Sequence, residues 1–274
     1  MGKLSEALER HKEERSMKLD SPSRGVPKKS VIKEEGSTSL KESVGTPEFD
    51  SKVVVLSAPD SAGAENFKVI RTRLLFSRNG KRPQTIMVTS ALPGEGKTFV
   101  AVNLAVSLAL GIDEHVLLMD CDLRRPQVHN LLGYRNGEGL NECLTQKKKL
   151  EDLVIETQND KLSLLTAGKL PQNPSELLSS SGMRSFLRDS KERYENQFII
   201  IDSAPFHGTA EAKVLAEYVD GVIFVAMAQM SQRKEIQKAI DALGKEKILG
   251  VVFNGYDQAN KSYYEYYEKY YGRQ

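Results

Sequence analysis

The side chains whose types and spacing could do chemistry fall into four groups. The first is ALPGEGKT, residues 91–98, which follows the apolar run TIMVTS and opens a helix-like segment. Strand, glycine-rich loop and helix in that order make a phosphate-binding loop. Gly94 and Gly96 would let successive backbone N–H groups curl around the phosphates of ATP, with Pro93 and Glu95 belonging to the same ATP-binding loop. Lys97 would reach the β- and γ-phosphates, the Thr98 hydroxyl would ligate Mg²⁺, and Phe99 would complete the loop's ATP contacts. Ala91 stands where the first glycine of such loops usually falls.

The second group is VLLMDCDLRRP, residues 116–126, in which Asp120 and Asp122 lie at i and i+2 on one side of an extended chain, with Arg124 close behind. Such a pair can share a metal ion or a proton, although strand-end aspartates also cap the next helix. The third is FIIIDSAP, residues 198–205, where four apolar residues deliver Asp202 in the Walker B pattern, placed to hold Mg²⁺ through water. The last two patterns are common in α/β proteins when met singly. In this order behind a phosphate loop they point to a site for ATP and Mg²⁺.

The fourth group is SYYEYYEKYYG, which holds six of the ten tyrosines: Tyr263, Tyr264, Tyr266, Tyr267, Tyr270 and Tyr271. Glu and Lys spacers near a chain end suit a mobile phosphoacceptor segment. An aromatic stripe on a terminal helix is the structural alternative.

These groups need elements to position them. From residue 52 onward, apolar runs of strand length alternate with amphipathic segments, the pattern of an α/β fold with a largely parallel sheet flanked by helices on both faces. Strands are expected at 52–57, 84–89, 115–120, 162–166, 197–202, 220–227 and 247–253, and helices at 62–77, 97–110, 174–193, 209–218 and 231–243. Ligands of such sheets bind beyond the carboxyl ends of the strands, where residues 91–98, 120–124 and 202 fall. Three regions result: a disordered arm over 1–50, a P-loop domain over 51–258 and a tyrosine-rich tail over 259–274. In the arm, Leu4, Ala7 and Leu8 have the spacing of a short docking helix, and a solvated charged segment fits equally well.

Composition narrows the function classes. With 39 basic and 37 acidic residues the formal charge is +2, so no overall electrostatic footprint argues for a nucleic-acid partner. The two cysteines, Cys121 and Cys143, form neither a disulfide framework nor a zinc cluster. No apolar run approaches the ~20 residues that cross a bilayer, and MGKLSE fits neither a signal peptide nor the myristoylation pattern. A cytoplasmic protein, peripheral to the membrane only through a partner, is expected.

Three Walker-type motifs joined to a terminal tyrosine cluster resemble the catalytic unit of the bacterial tyrosine kinases of capsule and exopolysaccharide export, over residues 52–274. The resemblance implies a tyrosine autokinase in which Lys97 and Thr98 bind phosphates and Mg²⁺. Asp122 and Asp202 would organise the metal, Asp120 would help activate the incoming tyrosine hydroxyl, and Arg124 would complete the second motif. It further implies a ring-shaped homo-oligomer, octameric in one form, assembled through an ExxRxxR element. Here that element reads Glu65, Lys68 and Arg71, so Lys68 keeps the charge of the first arginine but loses its bidentate fork. A plain amphipathic helix is the alternative for these three residues. Asn254 in GVVFNG matches a position that contacts adenine in related proteins, and is otherwise a turn residue. A membrane-integral polysaccharide chain-length co-polymerase protein as activator and a cognate tyrosine phosphatase are the implied partners. The rival reading is a partition or septum-site ATPase, which would carry an extra lysine early in the loop, where this chain has Leu92. A further alternative is a catalytically poor ATP-dependent regulator whose tail docks a membrane partner.

Overall fold

The computed structural model describes residues 48–76, 82–207 and 209–256. The expected arm up to residue 47, the six tail tyrosines and the boundary at 258 lie outside these residues.

Seven strands form one sheet: β1 Thr85–Ser90, β2 Val116–Asp120, β3 Ile155–Glu156, β4 Leu162–Leu165, β5 Phe198–Asp202, β6 Gly221–Met227 and β7 Ile248–Asn254. Their order across the sheet is β3-β4-β2-β5-β1-β6-β7, and only the β3–β4 pairing is antiparallel. Parallel strands covered on both faces are apolar throughout. Thus β1, β2 and β5 are buried at every position, and alternate residues of β1 serve opposite layers, Met87 one core and Ile86 and Val88 the other.

Ten helices accompany the sheet among the described residues. They are α1 Val54–Ser57, α2 Ala62–Leu75, α3 Lys97–Ala109, α4 Val128–Leu131, α5 Leu140–Thr145, α6 Leu150–Leu153, α7 Pro174–Leu178, α8 Ser181–Arg193, α9 Glu211–Tyr218 and α10 Arg233–Leu243. One layer is built on α3, whose residues Val100–Ala109 are all buried, with Val55 of α1 and Phe67 and Leu74 of α2 packed into the same core. The opposite layer takes Met183 and Leu187 of α8, Leu215 of α9 and Leu243 of α10.

Two expectations are corrected. Residues 52–57 are not a strand. The Val55 N–H donates to Asn103 Oδ1 at 3.2 Å and Asn103 Nδ2 donates to the Lys52 carbonyl at 3.0 Å. A side chain of α3 thus satisfies backbone that a sheet would otherwise pair, and Val53 and Val55 reach the core from a single helical turn. The expected helix over 174–193 is two helices. Ser180 leaves the helical conformation and its hydroxyl accepts the Met183 N–H at 3.1 Å, capping α8.

Candidate active site

At the carboxyl ends of β1, β2 and β5 the three motifs meet. The strands lie side by side in the order β2-β5-β1, and Asp120 is in register with Asp202. The loop between β1 and α3 turns through Gly94 (φ 86°) and Gly96 (φ 92°), left-handed conformations that glycine alone adopts without strain. A Cβ on Gly96 would also stand 2.0 Å from Asn254 Nδ2.

Lys97 Nζ pairs with Asp122 Oδ2 at 2.7 Å and lies 3.3 Å from Thr98 Oγ1. The Thr98 hydroxyl donates to Asp202 Oδ2 at 2.8 Å. Burial works against the Lys97 ammonium, but Asp202, Asp122 and Asp120 outweigh it and hold its pKa above the ordinary value. Burial, opposed by Lys97 and Thr98 and assisted by Asp122, pushes Asp202 up to about 6. Asp202 Oδ1 is buried and has no hydrogen-bond partner. A sequestered carboxylate oxygen with an open valence beside a threonine hydroxyl suits a hydrated Mg²⁺. Among the described residues no group of three or more His, Cys, Asp or Glu is placed to hold a metal ion.

Asp120, expected to help activate the incoming hydroxyl, lies behind the cleft wall. It is fully buried; Oδ1 accepts the Asp122 N–H at 3.2 Å and Oδ2 accepts those of Gln127 and Val128, each at 3.1 Å. Burial and the Asp202 charge hold its pKa well above the usual carboxylate range. Asp120 therefore shapes the 121–128 loop from behind. Asp122 instead lines a cleft of about 570 Å³ together with Lys97, Thr98, Phe99 and Pro93. Cys121, between the two aspartates, is buried with its thiol pushed up by burial, so no thiolate nucleophile is presented.

Arg124 also lines the cleft, but its Nε donates to Glu211 Oε1 at 2.8 Å and its terminal nitrogen to Ser175 Oγ at 3.1 Å. Glu211 is buried at the start of α9, so the arginine ties two loops of the cleft together. Glu95 is wholly buried and its side chain faces the interior, while Asn254 Nδ2 donates to the Glu95 carbonyl at 3.1 Å. Of the ExxRxxR residues, Lys68 pairs with Glu65 at 2.9 Å on the surface of α2, and Arg71 donates to the Ser107 carbonyl of α3 at 2.8 Å.

Sequence reading missed Lys52, Arg125 and His207 on the cleft wall, and Glu211 and Ser231 behind it. Arg125 directly follows Arg124 in the second motif and was legible there. The others are brought in by contacts remote in the chain.

A family model described as "ParA: NUBPL iron-transfer P-loop NTPase" matches residues 81–269. Tyrosine-protein kinase YwqD of Bacillus subtilis (strain 168) is 36% identical over 217 residues, covering 78% of this chain and 90% of that protein. Among solved structures, the chimerical protein CapA2B2 aligns with a TM-score of 0.70 and 31% identity over 77% of this chain and 93% of its own. The kinase domain of Escherichia coli tyrosine kinase ETK aligns with a TM-score of 0.69 and 31% identity over 74% of this chain and 79% of that one. The chain belongs to the ParA-type P-loop NTPase family and, within it, to the bacterial protein-tyrosine kinases.

Proposed function

We propose that this chain transfers the γ-phosphoryl group of MgATP to tyrosines 263–271 of a second copy of itself, and that this autophosphorylation regulates capsule or exopolysaccharide biosynthesis and export. The observation that carries the proposal is the Lys97–Asp122 ion pair at 2.7 Å on the wall of the cleft. It keeps the loop's cation charged and waiting where phosphate would sit. Lys97 would hold the β- and γ-phosphates, which would free Asp122 Oδ2 at the cleft wall. Thr98 and Asp202 would hold Mg²⁺, and Asp122 would join them in orienting the ion's shell; the bound ion would neutralise charge on the phosphates. Positioning and charge neutralisation then supply the catalysis, without a covalent enzyme intermediate.

Transfer between subunits accords with a ring, octameric in its full form, built through Glu65, Lys68 and Arg71 of α2. Among the described residues no helix is long and apolar enough to cross a membrane. A membrane-integral chain-length co-polymerase protein would accordingly bring the kinase to the inner face of the cell membrane, and a cognate phosphatase would reverse the modification. The tail tyrosines and the absence of a second loop lysine favour this reading over a partition-type switch ATPase.

The test is mass-spectrometric mapping of the full chain after incubation with MgATP. Phosphotyrosine between 263 and 271 that vanishes in Lys97→Met supports the autokinase. ATP hydrolysis with no phosphotyrosine, alone and with the co-polymerase protein added, supports the switch ATPase instead. Mixing Lys97→Met with an active chain lacking residues 259–274 tests transfer between subunits, because only the inactive chain then carries acceptors.

A further inference from the structure

The phosphate loop has two sides. Lys97 and Thr98 face the cleft; Glu95, fully buried between the two loop glycines, faces the protein. Glu95 Oε2 accepts the Leu92 N–H at 2.7 Å, closing the loop across its base. Glu95 Oε1 accepts the hydroxyl of Ser231, in the turn between β6 and α10, and the Ser231 oxygen accepts the Met227 N–H at 2.7 Å. The dipoles of this chain all run one way, from backbone amide through hydroxyl to carboxylate, so each bond strengthens the next. On the other flank the Glu95 carbonyl accepts from Asn254 at the end of β7, and the Asn254 carbonyl accepts the Ala228 N–H at 2.8 Å. One residue of the loop is thereby fastened to β6, to the turn after it and to β7. The 2.0 Å that a Cβ on Gly96 would leave to Asn254 shows that this packing has no slack.

A carboxylate buried this deeply is tolerated only when its oxygens are satisfied, and here two neutral donors satisfy it from opposite sides of the loop. We propose that Glu95 is a positioning residue of the nucleotide site, and that Ser231 and Asn254 are the two arms through which β6, β7 and the turn beyond β6 hold the phosphate loop in its binding shape. The inference rests on the ATP-binding reading above and deepens it. The Glu95 side chain does not line the cleft; it acts by turning the Leu92 N–H inward and leaving the amides of Gly94 to Lys97, its own included, for the ligand. Asn254, matched by sequence to an adenine contact, is an arm of this clamp. The loop is preorganised, so ATP does not have to order it.

The experiment is calorimetric titration of the full chain with MgATP, for wild type, Ser231→Ala, Ser231→Thr and Asn254→Ser, alongside thermal melts without nucleotide. Ser231→Ala is expected to weaken ATP binding on the order of tenfold, the scale of one hydrogen bond to a charged group. Its nucleotide-free melting temperature should fall by a few degrees, the cost of leaving Glu95 Oε1 and the Met227 N–H unpartnered. Ser231→Thr keeps the hydroxyl and should recover most of the affinity, a rescue that general loosening of the fold would not produce. Asn254→Ser, which loses the second arm, should also bind ATP more weakly and carries the test should Ser231→Ala not fold. Wild-type affinity in Ser231→Ala or in Asn254→Ser, or a threonine variant as impaired as the alanine, overturns the inference and leaves the kinase reading standing. A wild-type chain that binds no ATP overturns both.

Discussion

The two ends of the parallel sheet carry aspartates in opposite states. At the amino ends of the strands, Asp220 accepts the N–H groups of Gln84 at 3.0 Å and Thr85 at 2.9 Å and pairs with Lys191. Partial burial opposes its charge, but Lys191 and the two amides prevail and hold its pKa below the usual carboxylate value. The Asp220 N–H in turn donates to Thr85 Oγ1, and Gln84 Nε2 donates to the carbonyls of Lys191 and Tyr194, so the cluster is closed on itself. At the carboxyl ends, Asp120 and Asp202 are held above their ordinary values, and Asp202 Oδ1 has no partner. Carboxylates that complete their own bonding hold a sheet together. At the carboxyl ends the two aspartates crowd one another, and Asp202 keeps one oxygen unpartnered.

The sharpest way to break the contrast is Asp202→Asn. Phosphoryl transfer measured with radiolabelled ATP should fall by about a hundredfold or more, the scale of losing a charged group that organises the transition state. The same change should raise nucleotide-free stability by about 1–3 kcal/mol in denaturant titration, because the folded state disfavours the charge it removes. Loss of both activity and stability would place Asp202 with the amino-end aspartate instead.

Asp220→Asn should do the opposite, lowering stability by about 2 kcal/mol through its charged hydrogen bonds and leaving ATP affinity unchanged. Since the folded pKa of Asp220 lies below its unfolded value, its contribution is present above the unfolded carboxylate pKa of about 4 and is lost as the pH falls through the folded value. Denaturation midpoints of wild type and variant should thus stay a constant interval apart near neutrality and converge in acid. A gap that widens below pH ~4 reverses the sign and sinks the assignment.

The smallest effect belongs to Gln84→Ala, about 1 kcal/mol of stability with unaltered transfer, since its amide links β1 only to the end of α8. A kinetic defect in this variant would mean that the two ends of the sheet communicate.

The contrast also separates what was legible in the chain from what was not. The strands ending in Asp120 and Asp202 could be read because burial on both faces demands unbroken apolar runs, and the phosphate loop because its glycines must adopt positive φ. Residues 52–57 have equally strand-like side chains, yet Asn103 satisfies their backbone from 48 positions away, a partner no local pattern announces. The match of seven expected strands to seven observed therefore hides an exchange: the expected first strand is helical, and the two-residue β3 fills an edge instead. The carboxylates could be located by motif, but what separates Asp120 from Asp122 is which backbone amides their oxygens meet and the Lys97 pair that Asp122 alone makes. Glu211 and Ser231 lie 87 and 136 positions from their partners and carried no signal of their own.

The burial of α3 along ten consecutive residues has a consequence for motion. A helix surrounded by core cannot slide or tilt without opening both the sheet and the layer outside it, so Lys97 and Thr98 ride on a firmly held element. With the phosphate loop already clamped, displacement on binding nucleotide falls to the loop 121–127 and to residues 203–207 beside it. In deuterium-exchange experiments the amides of Ala101–Ala109 should open only with global unfolding, whether or not ATP is bound, while protection gained on adding nucleotide should be confined to the loops.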